Sequence, residues 1–465
     1  MVLNPLECIS CYAGHIALEK MDVTIPIELV FGKMNKSTLE RFLKRSFLEK
    51  LVNERNVKIV VSDSLYNELF KSGFSEVYVY ENQNLIEQFK FKDIWKRESR
   101  ENVIVSDLAY RSTINNSSTY KPCEDILLES GLDYLFPTLR VDESLIAILD
   151  PQLNVCHLFD RKGKLIQQVD GLDFSPNDLI PLNHGIRNDS TLQKHLKQLK
   201  SMGYYSLMLE DVVLVDAKVF IAASLPYLFP KPGSDRIVLE SLTTVALLNS
   251  NNTLTPLFSD TVRSNEFIAY RNFSIEDSLL ILPGFRESSD GKFSYSITRT
   301  PINSSGIQSY RWLPDIQMSG NTFHSTVQEL VRVKDGLLHI QHTSCFVHLE
   351  SGTQYCFPEL VVNKPESNPD SNETFEKSVL DWIYSSIDST MTLIYKDTQK
   401  NSLSLLKRSL HSGGHPQDAG ESLLPLRSDE VFALAFESPD KFFVMDRQSH
   451  LKCYLTAGLE KTRRK

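Results

Sequence analysis

From residue 135 onward the chain repeats one arrangement. An apolar run ends in Asp or Asn, a short polar turn follows, and a second apolar run begins. It occurs in Ile146–Phe159, Val245–Leu254, Phe346–Cys356, Leu393–Leu403 and Phe442–Tyr454, with a looser copy in Phe293–Ile297 and Gln308–Trp312. Runs of this length bounded by turn residues predict strands joined by hairpins. The turns fall near 150, 249, 298, 349, 396 and 446. From 249 onward the step is about 49 residues, the period of β-propeller blades with four strands each. Six turns predict six blades. The double gap between the first two turns leaves seven open; it holds Leu192, Leu196 and Leu199 at helical spacing, an expected inserted helix over 190–200. A single blade cannot bury both of its faces, so the repeats are expected to close into a ring, with a strand over Leu135–Val141 completing the last blade.

The first hundred residues follow a different pattern. Thr24–Phe31 reads as a buried strand, and Leu39, Phe42, Leu43, Phe47, Leu51 and Val52 recur at helical spacing behind a capping box of Ser37 and Glu40. Val57–Val61 predicts the next strand, and Val77–Tyr80 with Leu85–Phe89 a hairpin. Ahead of these, Cys8 and Cys11 form a CxxC followed by Ala13, Ile16, Ala17 and Leu18, a short amphipathic helix. The segment between, residues 101–134, is predicted to be a connector with a turn or two of helix over Pro122–Gly131.

With a short helix expected over Asp63–Phe70, the order CxxC, helix, strand, helix, strand, helix, hairpin resembles the thioredoxin-like fold. The resemblance implies a site at a helix N-terminus, where unpaired N–H groups favour a thiolate, with Cys8 as nucleophile and Cys11 as resolving thiol. Two features depart from that pattern. Ser72–Glu76 contains no proline ahead of the hairpin, and only Val2 and Leu3 precede Asn4-Pro5 where a first strand belongs. A zinc reading of Cys8, Cys11 and His15 is one ligand short of a closed site unless Cys123 supplies the fourth. Farther along, Asp150, Asn154, Phe159, Asp160, Gly163 and Lys164 make the first repeat resemble a blade of the bacterial six-bladed, NHL-like propellers. That resemblance implies an exported or envelope-attached protein with an added domain.

The expected architecture is therefore an α/β thioredoxin-like N-terminal domain over 1–100, a connector over 101–134, and an all-β propeller over 135–460. Composition narrows the function. The chain has 465 residues, 41% hydrophobic and 23% charged, with a net charge of −9. It is globular, and no basic stripe offers itself to nucleic acid. No apolar run is long enough to predict a transmembrane helix. The N-terminus as written carries no signal peptide, so the expected compartment is cytoplasmic, or the cell envelope if the true start lies upstream of Met1. The 7 cysteines are odd in number, which excludes a fully disulfide-paired scaffold. No nucleotide-binding, serine-hydrolase or zinc-protease motif is present, and no cofactor is expected. In the propeller, His339, Gln341 and Thr343 share one strand face, and Tyr310, Arg311, Trp312, Phe323 and His324 are candidates for a propeller mouth, with blade core as the alternative. Lys194, Lys197 and Lys200 make one positive helix face, most simply a solvated one. The resulting expectation is a binding or scaffolding module whose propeller recognises a peptide or protein. The rival is a thiol–disulfide oxidoreductase using Cys8 and Cys11, with the propeller selecting the substrate.

Overall fold

Side chains that alternate between two faces need two covered faces, and the computed structural model shows how they obtain them. It describes residues 27–32, 34–45, 52, 57–62, 65–66, 76–81, 84–90, 122–174, 194, 207–230, 237–262, 266–268, 273–287, 293–302, 309–313, 331–340, 345–357, 360, 377–397, 400–410, 417–427 and 430–456. These residues belong to two units: Met1–Ser117 with Gly131–Phe136, and Ser118–Ser130 with Pro137–Lys465. Cys8, Cys11, His15 and almost all of the expected helix at 190–200 lie outside the described residues.

In the first unit, β1 (Ile27–Phe31) and β2 (Val57–Val61) pair in parallel, Leu29 opposite Ile59. Parallel neighbours need a crossover, and α1 (Lys36–Arg45) lies within it. Leu29, Phe31 and Phe42 are fully buried, with the two rings edge to face at 5.7 Å. The expected capping box gives way to a different cap: Asn35 accepts the Thr38 amide through its side-chain oxygen at 2.8 Å, and Glu40 faces Lys36 instead. Asn one position ahead of the helix competes with Ser37 for the same orphan N–H groups and wins. Asp133 anchors this end, accepting the Asn35 amide at 2.7 Å. A hairpin, β3 (Glu76–Glu81) with β4 (Asn84–Lys90), follows.

The second unit is a six-bladed β-propeller. Blade one is β6 (Thr138–Val141), β7 (Leu145–Asp150), β8 (Val155–Asp160) and β9 (Leu165–Asp170). Blade two is β10 (Met208–Val215), β11 (Lys218–Pro230), β12 (Ile237–Leu248) and β13 (Leu254–Val262). In blade three, β14 (Glu266–Ile268) and β15 (Ser274–Glu276) both pair with β16 (Leu279–Glu287), followed by β17 (Phe293–Pro301) and β18 (Ser309–Leu313). Blade four is β19 (Val331–Lys334), β20 (Leu337–Ile340), β21 (Cys345–His348) and β22 (Gln354–Cys356), the last two joined by the Cys345–Cys356 disulfide. Blade five is β23 (Lys377–Ser385), β24 (Thr390–Asp397), β25 (Ser402–Ser409) and β26 (Gln417–Arg427). Blade six is β27 (Ala433–Ser438), β28 (Lys441–Met445) and β29 (His450–Leu455), completed by β5 (Glu124–Leu127) from the start of the unit.

Two expectations are corrected here. The strand that closes the ring is β5, within the segment read as a helical connector, whereas Thr138–Val141 is the inner strand of blade one. Long-range pairing overrides the local tendency, because β29 would otherwise leave an edge open. Sequence reading also counted one turn per blade without holding one phase. The turns near 150, 396 and 446 join second to third strands, while those in 245–254, 293–312 and 346–356 join third to fourth. All hairpins of a meander look alike in sequence, so the period survives a shift in phase.

The residues that single out blade one have structural work. Asp150 accepts the Gln152 and Leu153 amides at 2.9 and 3.0 Å. Asn154, at φ 56°, is fully buried and bridges to blade two, donating to the Leu207 carbonyl at 2.5 Å and accepting the Leu209 amide at 2.8 Å. Asp160 binds the Lys162 and Lys164 amides, and Asp446 repeats that turn in blade six with Gln448 and His450. Gly163, at φ 85°, lies against the closing strand: a Cβ there would meet the Leu127 carbonyl and stand 2.7 Å from the Ile126 side chain. Gly336, at φ 71°, has open space. Gly163→Ala is therefore expected to destabilise the propeller by about 2 kcal/mol more than Gly336→Ala, since both share the backbone penalty and only the first presses on β5. Urea unfolding of the two variants checks this.

Candidate axial site

In each blade the first strand lies innermost. β27 packs beside β6, β6 beside β10, β10 beside β15, and β23 beside β27. Around the axis they line a cavity of about 190 Å³ to which all six blades contribute, through Arg140, Val215, Glu276, Lys334, Asp381 and Phe436. Its walls mix apolar side chains with cations and carboxylates.

β-Bulges set the polar pattern. Inner strands β10, β23 and β27 each carry one, between Leu209 and Asp211, Val379 and Asp381, and Phe436 and Ser438. A bulge adds a residue and re-aims the side chains beside it. At each bulge a carboxylate reaches a cation of an adjoining blade. Asp211 meets Arg140 of blade one at 3.2 Å, Asp381 meets Lys334 of blade four at 3.0 Å, and Glu437 meets Arg161 of blade one at 2.8 Å. Asp381 also accepts the Phe436 amide at 2.9 Å, so one side chain ties blades four, five and six. Glu437 in turn holds Lys441 at 2.9 Å. These pairs act as blade-to-blade latches; their partners are half-buried, so their value lies in register more than in net stability.

Other carboxylates fill in between. Glu276 accepts the Gly336 amide at 2.9 Å and the Ser274 hydroxyl at 2.7 Å. Asp335 accepts the Tyr384 amide at 3.0 Å. Burial raises the Asp335 carboxyl above its ordinary range, against the pull of Lys334 and the Tyr384 amide, and Asp381 and Glu276 push the same way as burial.

The ends of the inner strands carry a feature that sequence reading missed. Each first-to-second-strand turn holds an aspartate: Asp142, Asp216, Asp277, Asp335, Asp388 and Asp440. Because every inner strand leads its blade in the same order, these turns share one face. Asp216-Ala217, Asp277-Ser278 and Asp335-Gly336 are two-residue loops with positive φ at both positions, the type I′ geometry that Asp and Gly favour. Asp335-Gly336 between apolar runs was the available signal. Asp216, Asp277, Asp388 and Asp440 are exposed, as are Glu143 and Ile387, the last at 99%.

His339 stacks on Phe346 at 4.2 Å and meets the edge of Trp382 at 5.4 Å, inside the interface of blades four and five. Burial, with Arg332 adding to it, lowers its pKa to about 3. Gln341 and Thr343 lie outside the described residues. Tyr310, Arg311 and Trp312 belong to β18, the outermost strand of blade three, and so do not line the axis. Phe323, His324, Lys197 and Lys200 also lie outside the described residues. Among the described residues no group of three or more His, Cys, Asp or Glu side chains could hold a metal ion, and no helix is long and apolar enough to cross a membrane.

No protein-family model matches the chain, and no curated protein matches it. Among solved structures, it is similar to a putative exported protein of Bacteroides fragilis, at 11% identity over 69% of this chain and 82% of that one, with a TM-score of 0.32. It is similar to Drosophila Semaphorin 2a at 8% identity over 74% and 77%, with a TM-score of 0.31. It is similar to the β-propeller domain of Vanderwaltozyma polyspora Nup133 at 10% identity over 79% and 88%, with a TM-score of 0.23. Similarity at this level says nothing about what the chain binds.

His339 yields a pH test. Its folded pKa is depressed, so between pH 6.5 and about 3 the unfolded chain takes up a proton that the folded one refuses. Stability is then lost as pH falls through that window, by up to about 1.4 kcal/mol per unit from this group. His339→Leu is expected to flatten the dependence between pH 6 and 4, as measured by urea unfolding at each pH.

Proposed function

We propose that the chain is a binding or scaffolding module whose propeller recognises a protein or peptide partner through the face of the first-to-second-strand turns. The observation that carries this reading is the ring of aspartate turns at one end of the inner strands, with Asp216, Asp277, Asp388 and Asp440 exposed, Glu143 beside them and Ile387 at the tip of the blade-five turn. Such a surface favours a basic segment with an apolar anchor, and short turns on rigid strands hold it without ordering cost. The charged groups that line the axial cavity are engaged in blade-to-blade ion pairs and hydrogen bonds, Glu276 with the Ser274 hydroxyl and the Gly336 amide among them, which fits recognition better than turnover.

We further propose that the first hundred residues form an accessory thioredoxin-like domain. Support comes from the parallel β1–β2 pair with α1 between them and from the hairpin that follows. The dithiol reading of Cys8 and Cys11 belongs to the same proposal and rests on the sequence spacing alone.

The binding face is testable without disturbing the fold. Asn suits the left-handed turn positions as well as Asp does, so Asp216→Asn with Asp277→Asn removes charge and keeps the turns. Titrating an array of basic peptides with the full chain is expected to find binders whose affinity falls with salt and drops about tenfold in the double variant. Equal binding by both proteins would overturn this face as the site. For the dithiol, Cys8→Ser is expected to abolish disulfide reduction of insulin by the full chain; a wild type with no such activity would remove the oxidoreductase reading.

A further inference from the structure

Ring closure in blade six rests on the pairing of β29 with β5, and a cysteine sits on each side of it. Cys453 lies within β29, and Cys123 immediately precedes β5, donating its amide to the Cys453 carbonyl at 2.8 Å. Their sulfurs stand 2.6 Å apart. They are 330 residues apart in sequence. The same pair of strands in blade four, third and fourth, is joined by the Cys345–Cys356 disulfide at the opposite end of its ladder. We propose that Cys123 and Cys453 form a second cross-strand disulfide, a covalent clasp that locks the propeller ring where its two ends meet.

The chemistry is thiol–disulfide exchange with a low-molecular-weight disulfide such as oxidised glutathione. Cys123 is exposed and Cys453 is buried, so the small disulfide meets Cys123 first. The Cys123 thiolate, its proton released to solvent, attacks one sulfur of the small disulfide, forming a mixed disulfide and expelling one thiolate, which takes up a proton. Cys453 then gives its proton to solvent and attacks the Cys123 sulfur, forming the Cys123–Cys453 bond and expelling the second small thiol. Two electrons leave the cysteine pair and reduce one small disulfide to two thiols. Burial and the neighbouring Cys123 sulfur raise the Cys453 thiol and so disfavour its thiolate, and its attack relies on the contact that already holds it against the Cys123 sulfur. Among the described residues the third unpaired cysteine, Cys156, is fully buried and has no cysteine sulfur paired with it, so it stays out of the exchange.

The clasp spans nearly the whole propeller. A cross-link across so long a loop restricts the unfolded chain strongly, while closing a contact that the folded chain already makes. It also gives the ring a reason to favour an oxidising compartment.

The test uses the full chain equilibrated with mixed oxidised and reduced glutathione. Thiols are blocked with iodoacetamide, and the protein is digested and analysed by mass spectrometry without reduction. The expected result is a linked peptide pair containing Cys123 and Cys453, together with a melting temperature at least about 5 °C above that of Cys123→Ser treated identically. After reduction by dithiothreitol the two proteins should melt together. Recovery of both cysteines as alkylated thiols in a sample where Cys345 and Cys356 are linked would overturn the proposal. So would identical melting of the oxidised wild type and the variant. Cys123 is exposed, so its serine variant keeps the packing and the comparison remains valid.

Discussion

The structure depends on one geometric constraint: each blade has two faces to bury and can bury them only against neighbours in a closed ring. A linear stack would leave a face open at each end and β29 as an unpaired edge. The chain meets the constraint by bringing residues 124–127 back to the strand that ends near 455. Everything around the axis follows from that closure. Six inner strands converge around the axis, and Arg140 meets Asp211, Lys334 meets Asp381 and Arg161 meets Glu437 across blade boundaries. The last of these pairs joins blade six to blade one, from the turn that also holds Gly163 against the closing strand.

The polar interior has a consistent logic. Charges near a propeller axis cannot reach bulk water freely, so each is matched across a blade boundary or tied to backbone amides. Bulges supply the reach. A strand of strict alternation would hold Asp211 and Asp381 on its regular pleat; the extra residue ahead of each lets the carboxylate turn toward the preceding blade. The cost is three interrupted ladders. The return is register, because a blade that slipped by one residue would strand a carboxylate without its cation.

Sequence made the ring and its blade number legible, because a repeat of hydrophobic hairpins survives errors of phase. The closing strand was not legible. Glu124, Asp125, Ile126 and Leu127 carry no strong local preference, and their conformation is decided by a partner more than three hundred residues away. The aspartate turns are legible at Asp335-Gly336 and in the recurrence of an Asp after each inner strand, a weaker pattern than the apolar hairpins that mark the period. The bulges could not be read, since Leu-Glu-Asp-Val and Val-Leu-Asp-Trp look like ordinary strand. His339 reads in sequence as part of a polar strand face, and its stacking on Phe346 with an edge contact to Trp382 gives it a packing role. In the first unit, the strand–helix–strand–hairpin order was legible from periodicity, and the helix cap, Asn35, lies two positions before the expected Ser37.

Closure by β5 is the claim on which the propeller, its latches and its clasp all stand. Native-state amide hydrogen exchange at Cys123 and Leu128 tests it most directly, because their amides donate to Cys453 and Ser449 across the seam. If the strand closes the ring, both amides exchange only through the opening that also releases the inner strands of blades one and six, with protection equal to theirs. If they exchange on the timescale of unprotected amides while blade one stays protected, the ring is held shut by something other than this strand, and the account is wrong.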